Sequence, residues 1–117
     1  MRKPIIQHSL ADAFEEEIIS VVNWAISEGF QPRGDLYRIA DRLFQPLVKT
    51  LPAPRGEERI IEYSMADAFY DEIAEVMNRA TAAGFTPFGN PLVWGDRIYQ
   101  PLAKYDVKEA KNQRGAR

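Results

Sequence analysis

The sequence repeats itself. Residues Ile5 to Lys49 and Ile60 to Lys104 align at a constant offset of 55 without a gap, and 22 of the 45 aligned positions are identical. Identity at that level reads as a tandem duplication, and a repeat constrains the fold before any other feature does. Each copy is close to the roughly 40-residue floor below which a domain needs disulfides, metals or a partner. The chain has no cysteine to supply such staples. The two copies are therefore expected to share one core. The domain would span residues 1–104, with repeats at 5–49 and 60–104, a Pro-rich linker at 50–59 and a polar tail at 105–117.

Each copy opens on a short apolar run suited to a strand, Ile5-Ile6-Gln7-His8 and Ile60-Ile61-Glu62-Tyr63. Ser9-Leu10-Ala11-Asp12 and Ser64-Met65-Ala66-Asp67 then have the form of a capping box, so a helix is expected to start there. Leu10, Phe14, Ile18, Val21 and Ala25 make one apolar stripe at helical spacing, and Met65, Phe69, Ile73, Val76 and Ala80 repeat it. Gly29 and Gly84 stand where a left-handed C-cap belongs. A strand follows each glycine through Phe-x-Pro-x-Gly, then a two-residue turn at Ala40-Asp41 or Gly95-Asp96. Glycine at the first central position suits a type II′ hairpin. The last strand runs from Arg42 to Lys49 and from Arg97 to Lys104, with Leu43, Gln45 and Leu47 sharing a face. The expected fold is α+β: two β-α-β-β repeats related by a pseudo-twofold, a mainly antiparallel sheet of up to six strands, and both helices on one face.

Over these same residues the chain resembles a known family. The runs VNxxxxxGFxPxG and QPLVK, with a turn between them, resemble a small bacterial and phage domain family of unknown function whose members read GWxPxG…QAMVK after a helix of this length. Phe30 and Phe85 stand in place of the family's Trp, and Pro46 and Pro101 in place of its small residue after Gln. The pattern is also similar to phage-encoded sponge proteins that sequester nucleotide second messengers of bacterial immunity, such as those opposing Thoeris and CBASS systems. That resemblance implies stoichiometric capture of a cyclic nucleotide or an ADP-ribose-like ligand.

Composition narrows the function classes. The net charge is −2, with −1 on residues 1–50, −3 on residues 51–104 and +2 on residues 105–117. An acidic body lacks the basic field of a nucleic-acid binder, although Lys108, Lys111, Arg114 and Arg117 make the tail basic. No apolar run approaches the roughly 18 residues of a membrane span, and no apolar region follows Met1-Arg2-Lys3-Pro4 as a signal peptide requires. A cytoplasmic protein that does not engage membranes is expected. There is one histidine, His8, and no phosphate loop or dinucleotide fingerprint, so no catalytic, metal or cofactor site is expected. Glu15, Glu16 and Glu17 read as a solvated helix face.

Two groups of residues remain as sites. Arg42, Gln45, Arg97 and Gln100 sit at matching places in the last strands, with Phe30, Phe85 and Phe88 nearby in sequence. One reading has them recognise a base and a phosphate; the other has the glutamine amides satisfy the irregular Pro-containing backbone. Asn23 and Asn78, each paired on the helix with Asp12 or Asp67, read either as a polar edge reaching the hairpin or as ordinary helix-end residues. Ile19, Val22, Ile26 and Trp24 widen the apolar surface of the first helix where the second has Ala74, Met77, Thr81 and Arg79. That points to a homo-oligomeric interface or to extra packing within the chain. The expectation is a non-enzymatic binder of a small anionic nucleotide, with a protein–protein interaction module, an inhibitor or phage accessory protein, as the alternative.

Overall fold

The computed structural model describes residues 3–54, 56 and 58–106. The basic tail residues lie outside them. The fold is α+β, with ten elements in two matching sets of five. The first half comprises β1 (Ile5–Phe14), α1 (Ile18–Ser27), β2 (Gln31–Pro32), β3 (Tyr37–Ile39) and β4 (Arg42–Leu51). The second comprises β5 (Ile60–Phe69), α2 (Ile73–Ala82), β6 (Thr86–Pro87), β7 (Leu92–Trp94) and β8 (Arg97–Tyr105).

Each half builds its own antiparallel sheet around its last strand. β4 pairs with β1 along one edge and with both β2 and β3 along the other; β8 does the same with β5, β6 and β7. The expected single sheet is thus two sheets of four strands. The strand after each glycine breaks in two because Pro32 and Pro87 cannot continue a ladder.

The first strands are longer, and the helices start later, than the serine motifs suggest. β1 pairs with β4 from Ile5↔Leu51 to Phe14↔Arg42. Ala11 and Ala13 point into the core, while Leu10, Asp12 and Phe14 are exposed on the other face. The Leu10–Phe14–Ile18 spacing imitates a helix, but ten residues of ladder outweigh one serine cap. Ser9 and Ser64 therefore sit within strands and cap nothing. The helices begin instead after a tight turn closed by Glu17 N–H donating to the Phe14 carbonyl at 2.9 Å, and Glu72 to Phe69 at 2.9 Å. The buried stripe of α1 is Ile18, Val22, Ala25 and Ile26.

The helix ends match expectation. Gly29 has φ 100°. The Phe30 N–H reaches the Ala25 carbonyl at 3.0 Å and the Gly29 N–H reaches Ile26 at 3.0 Å, which is a Schellman close. At the hairpins, the first central residue alone has positive φ: 66° at Gly95, but 55° at Ala40, which has a Cβ to accommodate.

One apolar cluster joins the halves. Ala11, Ala13, Ile18, Val22, Leu43 and Leu47 from the first half meet Ile60, Tyr63, Tyr99 and Ala103 from the second. Tyr63 pairs across with Ala103, and Met65 with Pro101, so they share one face of the second sheet. That face turns toward α1 and the first sheet; α2 covers the opposite face. A twofold would place α2 on β1 as α1 lies on β5. Yet α1 has four buried residues and α2 has none, so the halves are not related by a closed twofold. No helix among the described residues is long and apolar enough to cross a membrane.

Candidate interaction surface

The two arginines of the expected ligand site are already engaged. Arg42 donates through Nε to Asp12 Oδ1 at 2.6 Å and through Nη2 to the Asp12 carbonyl at 3.2 Å, and lies 4.6 Å over the Phe14 ring. Arg97 repeats this with Asp67 at 2.8 and 3.4 Å and with Phe69 at 4.7 Å. The hydrogen bond to Asp67 raises the Arg97 pKa further, holding its charge. Each arginine therefore ties the outer end of its last strand to the first strand of the same sheet.

The glutamines face the other way. Each lies three positions after its arginine, so strand alternation puts the two on opposite faces. Gln45 is fully buried; its Nε2 donates to the carbonyls of Gly34 at 3.1 Å and Pro46 at 3.2 Å. Gln100 donates to Phe88, Gly89 and Pro101 at 3.2, 3.2 and 2.9 Å. They bond the Pro-Gly backbone, adding a second donor to the Pro46 and Pro101 carbonyls, which also accept the Arg33 and Phe88 N–H groups. Phe30 and Phe85 lie beneath Lys49 and Lys104, at 5.5 and 4.8 Å, and Phe88 packs against the common core. Arginine, glutamine and aromatic do not converge on one site in either half.

The residues that do converge clamp one strand edge. Asn23 on α1 donates Nδ2 to the Tyr63 carbonyl at 3.0 Å and accepts the Tyr63 N–H on Oδ1 at 2.8 Å. Gln31 does the same to Ile60, donating at 2.9 Å and accepting at 2.7 Å. Two side-chain amides thus pair with the outer edge of β5 as another strand would, which removes an exposed edge. Between these clamps the Tyr63 hydroxyl enters the first half and donates to Gln45 Oε1 at 2.7 Å. Burial pushes the Tyr63 pKa well above its usual value, so the hydroxyl stays a donor. Ile19, Val22 and Ile26, read from the sequence as a possible oligomer interface, are spent on this contact within the chain; Trp24 remains 67% exposed. Asn23 is a clamp on a neighbouring strand, and Asp12 is not on its helix at all.

At the other end of the molecule the same surfaces are bare. The counterparts of Ile60, Tyr63 and Met65 are Ile5, His8 and Leu10, all exposed, with Ile5 at 60% and Leu10 at 45%. Asn78, the counterpart of Asn23, is exposed and makes no hydrogen bond with a described residue. Ile73, Val76 and Met77 on α2 are only half-buried. Gln100 Oε1 accepts no donor from a described residue, whereas Gln45 Oε1 holds a tyrosine. The signal for this lay in the sequence, since two matching helices that differ in apolar width suit different neighbours.

One cleft lies beside the clamp, a shallow cavity of about 150 Å³ lined by Gln31, Arg33, Lys49, Glu58 and Arg59. Among the described residues no group of three or more His, Cys, Asp or Glu side chains could hold a metal ion. Comparison with protein-family models, with curated proteins and with solved structures gives no match for this chain.

Proposed function

We propose that the chain is a tandem duplication serving as a non-enzymatic protein–protein interaction module. Its working surface is the pair of open faces at its two ends: the β1 edge with Ile5, His8 and Leu10, and the α2 face with Val76, Met77 and Asn78. The observation that carries this reading is the contrast with the halves' own contact, where the equivalent residues are buried and clamped. A surface that buries its counterpart well is built to bury something. The engagement of Arg42 and Arg97 by Asp12 and Asp67 supports this reading over capture of a nucleotide on those arginines.

A second reading keeps a small anion, on the cleft lined by Arg33, Lys49 and Arg59. Its volume suits a phosphate-sized group, well below the roughly 300 Å³ of a drug-sized ligand pocket. Thermal-shift measurements with phosphate, cyclic dinucleotides and cyclic ADP-ribose isomers separate the two. The interaction module should gain nothing from any of them. Stabilisation that disappears in Arg42→Ala with Arg97→Ala would restore the nucleotide sponge; stabilisation that disappears in Arg33→Ala with Arg59→Ala would select the cleft.

A further inference from the structure

Resting on that reading, we infer that the partner is a second copy of this chain, docked so that α2 of one copy clamps the β1 edge of the next as α1 clamps β5 within each copy. The contact between the halves is the template. Carried forward by the 55-residue offset, Asn23 becomes Asn78 and Tyr63 is matched by His8. Asn78 would then pair with the backbone N–H and carbonyl of His8 in the neighbouring copy. The His8 side chain would enter beneath α2, and its ring N–H would donate to Gln100 Oε1, which no described residue engages. Ile5 and Leu10 would be covered as Ile60 and Met65 already are.

The template also constrains how such an assembly would propagate. Asp35 accepts the Asn90 N–H at 3.0 Å and its Nδ2 at 3.1 Å, and these two residues occupy the same position in their halves. Their glycine neighbours meet as well: a Cβ on Gly89 would lie 3.6 Å from the Gly34 carbonyl oxygen. Equivalent points this close together mean that one half is carried onto the other by a turn about a nearby axis, with little shift along it. Repetition of such a turn closes into a ring where its angle divides a full circle, and otherwise runs on as a filament. Two chains are the smallest ring in which both open faces of both copies are covered.

The contact between chains would be weaker than its template. Thr86 stands where Gln31 supplies the second clamp, and its hydroxyl is turned to the Ala103 carbonyl at 3.3 Å. His8 reaches less far than Tyr63. Association should therefore be reversible and concentration-dependent. Restoring the template should tighten it: His8→Tyr or Thr86→Gln by about tenfold each, the worth of one well-made hydrogen-bonded contact. Asn78→Ala should loosen it by at least that factor while barely changing the unfolding of the isolated chain.

Because the chain has no cysteine, a cross-link tests the geometry directly. The full-length pair His8→Cys with Asn78→Cys, mildly oxidised, should give a covalent dimer with both links closed, and sedimentation of the parent should show a dimer that dilution dissociates. The pair His8→Cys with Trp24→Cys should stay unlinked. A parent that sediments as a monomer at high micromolar concentration would overturn self-docking. So would association unaffected by Asn78→Ala. None of these results alters the thermal-shift outcome that decides between an interaction module and a ligand binder.

Discussion

α1 and α2 come from matching sequence, yet they experience different surroundings. Ile18 and Val22 on α1 are fully buried, beneath the helix and against the second half. Ile73 and Met77, their counterparts, are half-exposed. The sheets behind them differ in the opposite sense: Tyr63 is fully buried and His8 is exposed. The lesson is that burial in a repeat belongs to the junction between copies, not to the copy. One junction lies inside the chain, and the matching residues at its ends, Ile5, His8, Leu10 and Asn78, are exposed.

Charge placed in the helices should break the comparison most sharply. Val22→Asp puts an unpaired carboxylate into the shared core, and should cost about 3–5 kcal/mol or prevent folding. Met77→Asp, its counterpart, should cost under about 1 kcal/mol in urea unfolding at low micromolar concentration. Equal effects would mean that α2 is buried after all. The asparagines give the next largest difference. Asn23→Ala leaves the N–H and carbonyl of Tyr63 unpaired in a part-buried place, at about 1–3 kcal/mol, and Asn78→Ala should cost a few tenths.

Alkali should separate the tyrosine from the histidine. The Tyr63 pKa is raised in the folded chain, so the folded state keeps a proton that the unfolded state loses. The stability this supplies is whole below about pH 10 and falls above it by up to about 1.4 kcal/mol per pH unit. Tyr63→Phe should flatten that decline, read from denaturant midpoints between pH 9 and 11, at the cost of the hydroxyl's bond to Gln45. His8→Phe should leave the slope as it is. The smallest effects lie at the hairpins. Ala40→Gly should add roughly 0.5–1 kcal/mol by relieving the positive φ, and Gly95→Ala should remove a similar amount.

Much of the fold was legible in single residues. Gly29 and Gly84 marked the helix ends because a left-handed residue there needs no tertiary help. The alternation of Leu43, Gln45 and Leu47 held because a strand has only two faces. The helix start was misread because Ala11 and Ala13 are small. Their period of two was hidden behind the more conspicuous four-residue spacing of Leu10, Phe14 and Ile18. The candidate site suffered from a similar neglect, since an arginine and a glutamine three apart on one strand cannot share a face. The clamp of Asn23 and Gln31 on β5 was beyond reach, because it depends on how the two sheets stack and no local pattern encodes that. What the sequence did carry was the unequal apolar width of the two helices, which anticipates unequal neighbours.

The distance along the chain between Asn23 and Tyr63, 40 residues, has a consequence for the order of events during synthesis. The first sheet can close once β4 has left the ribosome. Its inner face, with Val22, Ile26 and Leu43, then waits for β5. At about 5–20 residues per second, the 12 residues from Leu51 to Tyr63 take roughly 0.6–2.4 s. During that time the face is competent to take up an equivalent edge from a neighbouring nascent chain. The short connection from Leu51 to Ile60 settles the contest once β5 appears, because a tethered strand presents itself at an effective concentration in the millimolar range. A longer connection would slow that capture and favour exchange of halves between chains.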